Sequence, residues 1–322
     1  MNRATSLVVA VWLLPWTLSA DAAPIVGQVL SLDGPSQWVL AADPTNVGKH
    51  QEWWKGARPD AKPARVPGSI QETLGEYHGV AWYWRTITVP RHPHPDGRCL
   101  LRFWSIDYFV EVWVNGQAVG SHEGVDTMVE FDVTAAVRPE ADNLVAVRLI
   151  NPGNTPVDGF KIRECPGRNK FDPWAPGSSY NQGGILDSVE LLLAAPVRIE
   201  ALYLKPDWQS GAIEVEANVR NATGQTARGS LVLSVAPAAG GETLDLANTG
   251  VDFAAGDPLV RGRLRVPDFR LWNVEHPVLY RVTARASREG SDAGDEQSAP
   301  CGFRDFRFAD GYFRLNGKRI FL

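Results

Sequence analysis

Short apolar or alternating segments dominate the chain after residue 22. Gly, Pro, Asn and Asp break them every few residues, and helical periodicity is scarce. Trp82 to Val89 is rich in β-formers and stops at Pro90. Cys99 to Trp104 follows; Tyr108 to Val114 then alternates into Asn115-Gly116, and Gln117 to Gly120 returns. An Asn-Gly pair tolerates the positive φ angles of a type I′ turn, so this stretch predicts a two-residue hairpin. Phe131 to Val133, Leu144 to Ile150 and Val189 to Leu193 complete a first block of strands. Many short strands with turn signals between them predict a sandwich or jelly roll.

A break falls at Ala195-Pro196. Beyond it, Val197 to Leu204, Ile213 to Val219, Gly229 to Val235, Leu259 to Val266 and Val278 to Ala286 predict a second, smaller sandwich. Gly241-Glu242-Thr243 and the acidic run Gly290 to Glu296 read as solvated loops. The acidic run lacks the ordered ligand spacing of a calcium loop. After Pro300 the pattern changes again. Gly302 to Phe308 alternates, Asp310-Gly311 turns, Tyr312 to Leu315 forms a strand, Asn316-Gly317 turns, and Lys318 to Leu322 begins another.

The first residues follow a different logic. Arg3 supplies a positive start, Leu7 to Leu18 is apolar apart from Pro15 and Thr17, and Ala20-Asp21-Ala22 places small residues where a signal peptidase reads them. A secretory signal peptide at 1–22 is expected, giving a secreted or periplasmic protein. Its apolar run is short for a membrane span and no second one follows, so no membrane span is expected after cleavage.

Composition adds limits. A length of 322 residues suggests two domains, and 44% hydrophobic residues allow a sizeable core. With a net charge of -5 and no long basic run, nucleic acid is not an expected partner. The 12 Trp fit sugar-facing aromatics and a large core alike. Export permits disulfides, but Cys99, Cys165 and Cys301 are odd in number and far apart, and they lack the spacing of a metal site. Free buried thiols and no metal or cofactor are expected. His92-Pro93-His94 reads as a solvated loop. Asn221-Ala222-Thr223 fits a glycosylation sequon.

Four ordered segments carry a resemblance. They are Gly79-Val80-Ala81-Trp82-Tyr83-Trp84-Arg85; Leu101 to Gly124 continuing into Phe131-Asp132-Val133-Thr134 and Asn143 to Arg148; Gly183 to Leu191; and Leu271 to Tyr280 followed by Gly302 to Leu322. Together they are similar to the β-galactosidase, β-glucuronidase and β-mannosidase group, glycoside hydrolase family 2. The resemblance implies an all-β chain. A jelly-roll sugar-binding domain at 23–195 precedes an immunoglobulin-like β-sandwich at 196–300, and 301–322 is a truncated lead-in to a TIM barrel. Much of the shared pattern serves the fold: Asn115-Gly116 the turn, Asp132 and Thr134 a cap, and Trp113 packing between sheets.

The family mechanism implied is retaining hydrolysis of β-glycosides by two glutamates on a (β/α)8 barrel, about 5–5.5 Å apart. The family's acid/base follows an Asn, and this sequence contains no Asn-Glu pair. No residue is therefore assigned a catalytic role, and the barrel is an expected packing partner. A binding role remains open for the loops of the first domain. Asn151, and Asp172 with Trp174, match the regions that complete a sugar subsite in the family. A carboxylate accepts vicinal hydroxyls and an indole covers a pyranose face; the other reading is that Trp174 anchors the long loop on the sandwich and Asp172 caps a turn. Arg163, Arg168 and Lys170 nearby would favour an acidic sugar or remain solvated. A stand-alone carbohydrate-binding protein and an assembly module for a separate barrel are the rival readings.

Overall fold

The computed structural model describes residues 27–94, 96–165, 181–291 and 294–321. The expected signal peptide lies outside the described residues. The first unit runs β1 (Gln28–Ser31), β2 (Gly34–Asp43), β3 (Lys62–Val66), β4 (Gly68–Ser69), a short helix α1 (Ile70–Leu74), β5 (Gly79–Thr88), β6 (Arg98–Phe103), β7 (Ile106–Asp107), β8 (Phe109–Val114), β9 (Gln117–Glu123), β10 (Val129–Asp132), β11 (Asp142–Asn151), β12 (Gly184–Ile185) and β13 (Val189–Ala194). The sheet ordered β3-β2-β5-β11-β8-β9 faces the sheet β1-β13-β6-β10. Side chains alternate along a strand. One set, including Leu40, Tyr83, Val112, Val147 and Leu149, meets Leu101, Phe103, Leu191 and Leu193 in the core between the sheets. This is the expected jelly-roll sandwich.

The hairpin forms as expected, with Asn115 at φ 52° and Gly116 at φ 81°. Asn115 does more than turn: its side-chain amide donates to the Ala136 carbonyl and to Asn143 Oδ1. The Asp132–Thr134 cap also holds, with Thr134 N–H donating to Asp132 Oδ1 at 2.9 Å.

Trp113 departs from expectation. It lies on the outer face of its sheet, since Val112 and Val114 take the inward positions. There it joins Trp82 and Trp84 beneath Trp53 and Trp54, which the connection between β2 and β3 lays over the sheet. Trp54 stacks on Trp113 with centroids 5.4 Å apart, and Trp113 on Trp82 at 5.3 Å. These tryptophans form a second apolar layer rather than a row of exposed sugar platforms.

The immunoglobulin-like unit comprises β14 (Val197–Pro206), β15 (Ala212–Asn221), β16 (Ala227–Pro237), β17 (Asp245–Phe253), β18 (Leu259–Arg265), β19 (Tyr280–Arg288) and β20 (Gly294–Cys301). Sheets β14-β15-β18 and β17-β16-β19-β20 enclose a core of their own. Sequence reading named no strand at β17 or β20, and it took the start of β20 for loop. β17 is mostly exposed and polar, and its place is set by antiparallel pairing with β16. Beyond the sandwich come β21 (Phe306–Ala309), β22 (Tyr312–Leu315) and β23 (Lys318–Arg319), a small antiparallel sheet. Among the described residues no helix is long and apolar enough to cross a membrane.

Candidate functional site

The candidate rim begins where β11 runs out. Asn151 is its last residue, paired with Gly79 at the start of β5. Ile150 belongs to the outer face, so Asn151 turns to the other side. Its side chain is fully buried. The Asn151 amide donates to the Asn181 carbonyl at 3.2 Å and lies 3.1 Å from His78 Nδ1. Asn181 reciprocates: its amide donates to the Pro152 carbonyl at 2.6 Å and lies 3.2 Å from the same Nδ1. Two amide donors on Nδ1 make it an acceptor and place the imidazole proton at Nε2. Gly183 is needed here, because a Cβ at that position would come within 2.6 Å of Asn151 Cβ.

Asn151 therefore holds a loop rather than offering its amide to solvent. The exposed member of the cluster is His78. Asp107 is also buried, on β7 opposite Gly184. Asp172, Trp174, Arg168 and Lys170 lie outside the described residues; Arg163 is exposed. Sequence reading missed His78 and Asn181. Their link to Asn151 spans 73 and 30 residues, and no local pattern announces it.

A second polar group sits on the outer face, and its signal was present in the sequence. Arg148 interrupts the apolar run Ala146-Val147-Arg148-Leu149-Ile150. It is fully buried, and its guanidinium donates to Glu111 Oε2 at 2.7 Å, Asp158 Oδ2 at 2.5 Å and Asn46 Oδ1 at 2.6 Å. A guanidinium out of water needs such partners, because an unpaired buried charge is strongly unfavourable. Lys49 Nζ meets the other oxygen of Glu111 at 2.7 Å.

Other candidates resolve plainly. The sequon residue Asn221 is buried, and its amide donates to the carbonyls of Gln225 and Phe253. The acceptor nitrogen of that sequon is thus occupied in the fold. His94 is buried rather than solvated, with its backbone N–H donating to His92 Nδ1 at 3.0 Å. Cys99 and Cys301 are buried free thiols, and Cys165 is half-buried, with its thiol donating to the Lys161 carbonyl at 3.2 Å. Among the described residues no group of three His, Cys, Asp or Glu side chains is placed to hold a metal.

A jelly-roll sandwich with a polar rim at one end is followed by an immunoglobulin-like sandwich, a tandem β-module. The chain belongs to glycosyl hydrolases family 2: the family's sugar binding domain matches residues 72–195 and the family 2 domain itself residues 197–304. It is similar to a β-glucuronidase of Paenibacillus borealis, 26% identical over 88% of this chain and 47% of that protein. It is likewise similar to the β-glucuronidase of Canis lupus familiaris, 27% identical over 90% and 46%. The fold matches a β-glucuronidase from Ruminococcus gnavus solved in complex with D-glucuronic acid. The TM-score is 0.71 at 22% identity, covering 93% of this chain and 50% of that one. The chain spans about half the length of these two curated relatives.

Proposed function

We propose that this chain is the non-catalytic N-terminal portion of a secreted or periplasmic family 2 enzyme whose whole form hydrolyses a β-glycoside with retention. The observation that carries the reading is the pair of family matches in order, sugar-binding domain then family 2 domain, on a chain half the length of relatives named β-glucuronidase. The divisions are a signal peptide at 1–22, the jelly roll at 23–195, the immunoglobulin-like sandwich at 196–300 and a barrel lead-in at 301–322. The two catalytic glutamates belong to a (β/α)8 barrel that packs against these domains. Exposed Phe306, Phe308 and Phe313 on β21 and β22 support such a packing role. The rim held by Asn151, together with Asp172 and Trp174, contributes to the subsite for the terminal sugar. Uronides are the first class to try, because the relatives are named for them.

The test is an assay of the purified chain with chromogenic β-glucuronides, β-galactosides and β-mannosides. No turnover is expected, and turnover above a heat-killed control would sink the non-catalytic reading. Calorimetry with glucuronic acid addresses the rim: Trp174→Ala is expected to abolish the heat, and an unchanged isotherm counts against it. N-terminal sequencing of exported protein is expected to begin at Ala23. Recovery only in the cytoplasm with Met1 in place rejects secretion.

A further inference from the structure

The outer face of the first sandwich carries a pocket of about 460 Å³, bordered by Lys49, His50, Phe109, Glu111, Asp158 and Phe160. Asn151 takes no part in it. The volume falls in the roughly 300–1,000 Å³ range of small-molecule sites. We propose that this pocket is a binding site for a neutral pyranose, built on the buried Arg148 and separate from the Asn151 rim.

The construction argues for it. Arg148 lies beneath the pocket and fixes Glu111 and Asp158 from below, one on each branch of its guanidinium. Asn46 ties the second oxygen of Asp158 at 2.9 Å, and Lys49 ties the second oxygen of Glu111 at 2.7 Å. These side chains are ordered before any ligand arrives, so binding loses little of their rotamer freedom. Each carboxylate oxygen keeps a further lone pair for a hydroxyl donor, and the Lys49 ammonium has protons left for a hydroxyl acceptor. Phe109 and Phe160 stack on each other at 4.6 Å and both line the pocket, adding apolar surface on which the C–H groups of a sugar ring can pack.

Charge selects among sugars. Arg148 and Lys49 balance Glu111 and Asp158, so no counter-ion is called for. A uronic acid would bring a third carboxylate beside two that are already paired, which is repulsive. A metal ion is disfavoured for the opposite reason, since both carboxylates already face cations.

Backbone amide NMR of the full chain tests this. Cellobiose, lactose and β-1,4-mannobiose are titrated in turn, with glucuronic acid as the charged comparison. Shifts at Lys49, His50, Glu111 and Asp158 are expected with at least one neutral sugar and with weaker response to glucuronic acid. Lys49→Ala, an exposed position that leaves the Arg148 pairs intact, is expected to weaken binding roughly tenfold, about 1.4 kcal/mol. Phe160→Ala is expected to weaken it as much, and Lys49→Ala covers the case in which that variant fails to fold. No shift at those amides with any neutral sugar, shifts confined to His78 and its neighbours, a stronger response to glucuronic acid, or unchanged affinity in Lys49→Ala would each overturn the proposal.

Discussion

Asp295 shows how one side chain ties two sheets together. Its Oδ2 accepts the Ile199 N–H at 2.7 Å, and Gln297 Nε2 donates to the Ile199 carbonyl, so β20 grips β14 across the sandwich. Burial raises the Asp295 carboxyl above its ordinary value of 3.8, and the backbone donors only partly offset this. A native pKa above the unfolded one means the folded chain binds more protons in that window. Its stabilising contribution is therefore complete below 3.8 and is lost as pH rises through the native value. Asp295→Asn keeps an acceptor oxygen and removes the charge. It is expected to raise the melting temperature at neutral pH and to match wild type in acid below 3.8; calorimetric melts at both pH values check this. The thiols of Cys99 and Cys301 are likewise pushed up to about 11 by burial. Thiolate is the reactive form, so both are expected to resist iodoacetamide near neutral pH in the native state. Mass spectrometry of the native chain after iodoacetamide treatment checks this, and early adducts at Cys99 or Cys301 would count against it.

At the scale of elements, the sheet that carries Arg148 depends on partners outside its strands. Arg148→Ala removes the cation from Glu111 and Asp158 and leaves a hole beneath them. A loss of about 3 kcal/mol is expected, read from urea melts, because breaking a buried pair leaves charge uncompensated. Restoring apolar volume and neutralising the carboxylates, as in Arg148→Met with Glu111→Gln and Asp158→Asn, is expected to recover most of it. The same sheet shows what a sequence reveals and what it withholds. The β8–β9 hairpin was legible because Asn115-Gly116 encodes its turn locally. Trp113 was misplaced because a strand's alternation names two faces without saying what covers them. Its cover, Trp54, comes from an irregular connection with no period to read. β17 escaped because an exposed polar edge strand is defined by its neighbour's backbone. Asn151 was legible as a strand end, whereas its hold on Asn181 and His78 depends on tertiary contact.

The whole molecule has two separate cores, and polar contacts reach from one unit to the other: Arg98 Nη2 donates to the Ala222 carbonyl at 2.6 Å, and Arg288 pairs with Asp96 at 2.9 Å. Past the second core lies a surface that neither sandwich covers. Phe308 is 66% and Phe321 82% exposed, with Phe306, Tyr312 and Phe313 beside them. Phe306 and Phe313 stack at 5.8 Å, and Arg319 lies over both Tyr312 and Phe321. Scattered exposed apolar residues are ordinary, but a contiguous aromatic group marks a contact surface or an aggregation liability. The 322-residue chain is therefore expected to bind the dye ANS while folded and to self-associate as its concentration rises. Phe308→Ser combined with Phe321→Ser should lower both signals. It should leave the melting temperature nearly unchanged, because surface substitutions of this kind alter stability by only about 0.5 kcal/mol. Light scattering with parallel melts decides the matter: association that persists undiminished in the double variant would place the sticky surface elsewhere, and a large drop in melting temperature would show that these rings support the fold.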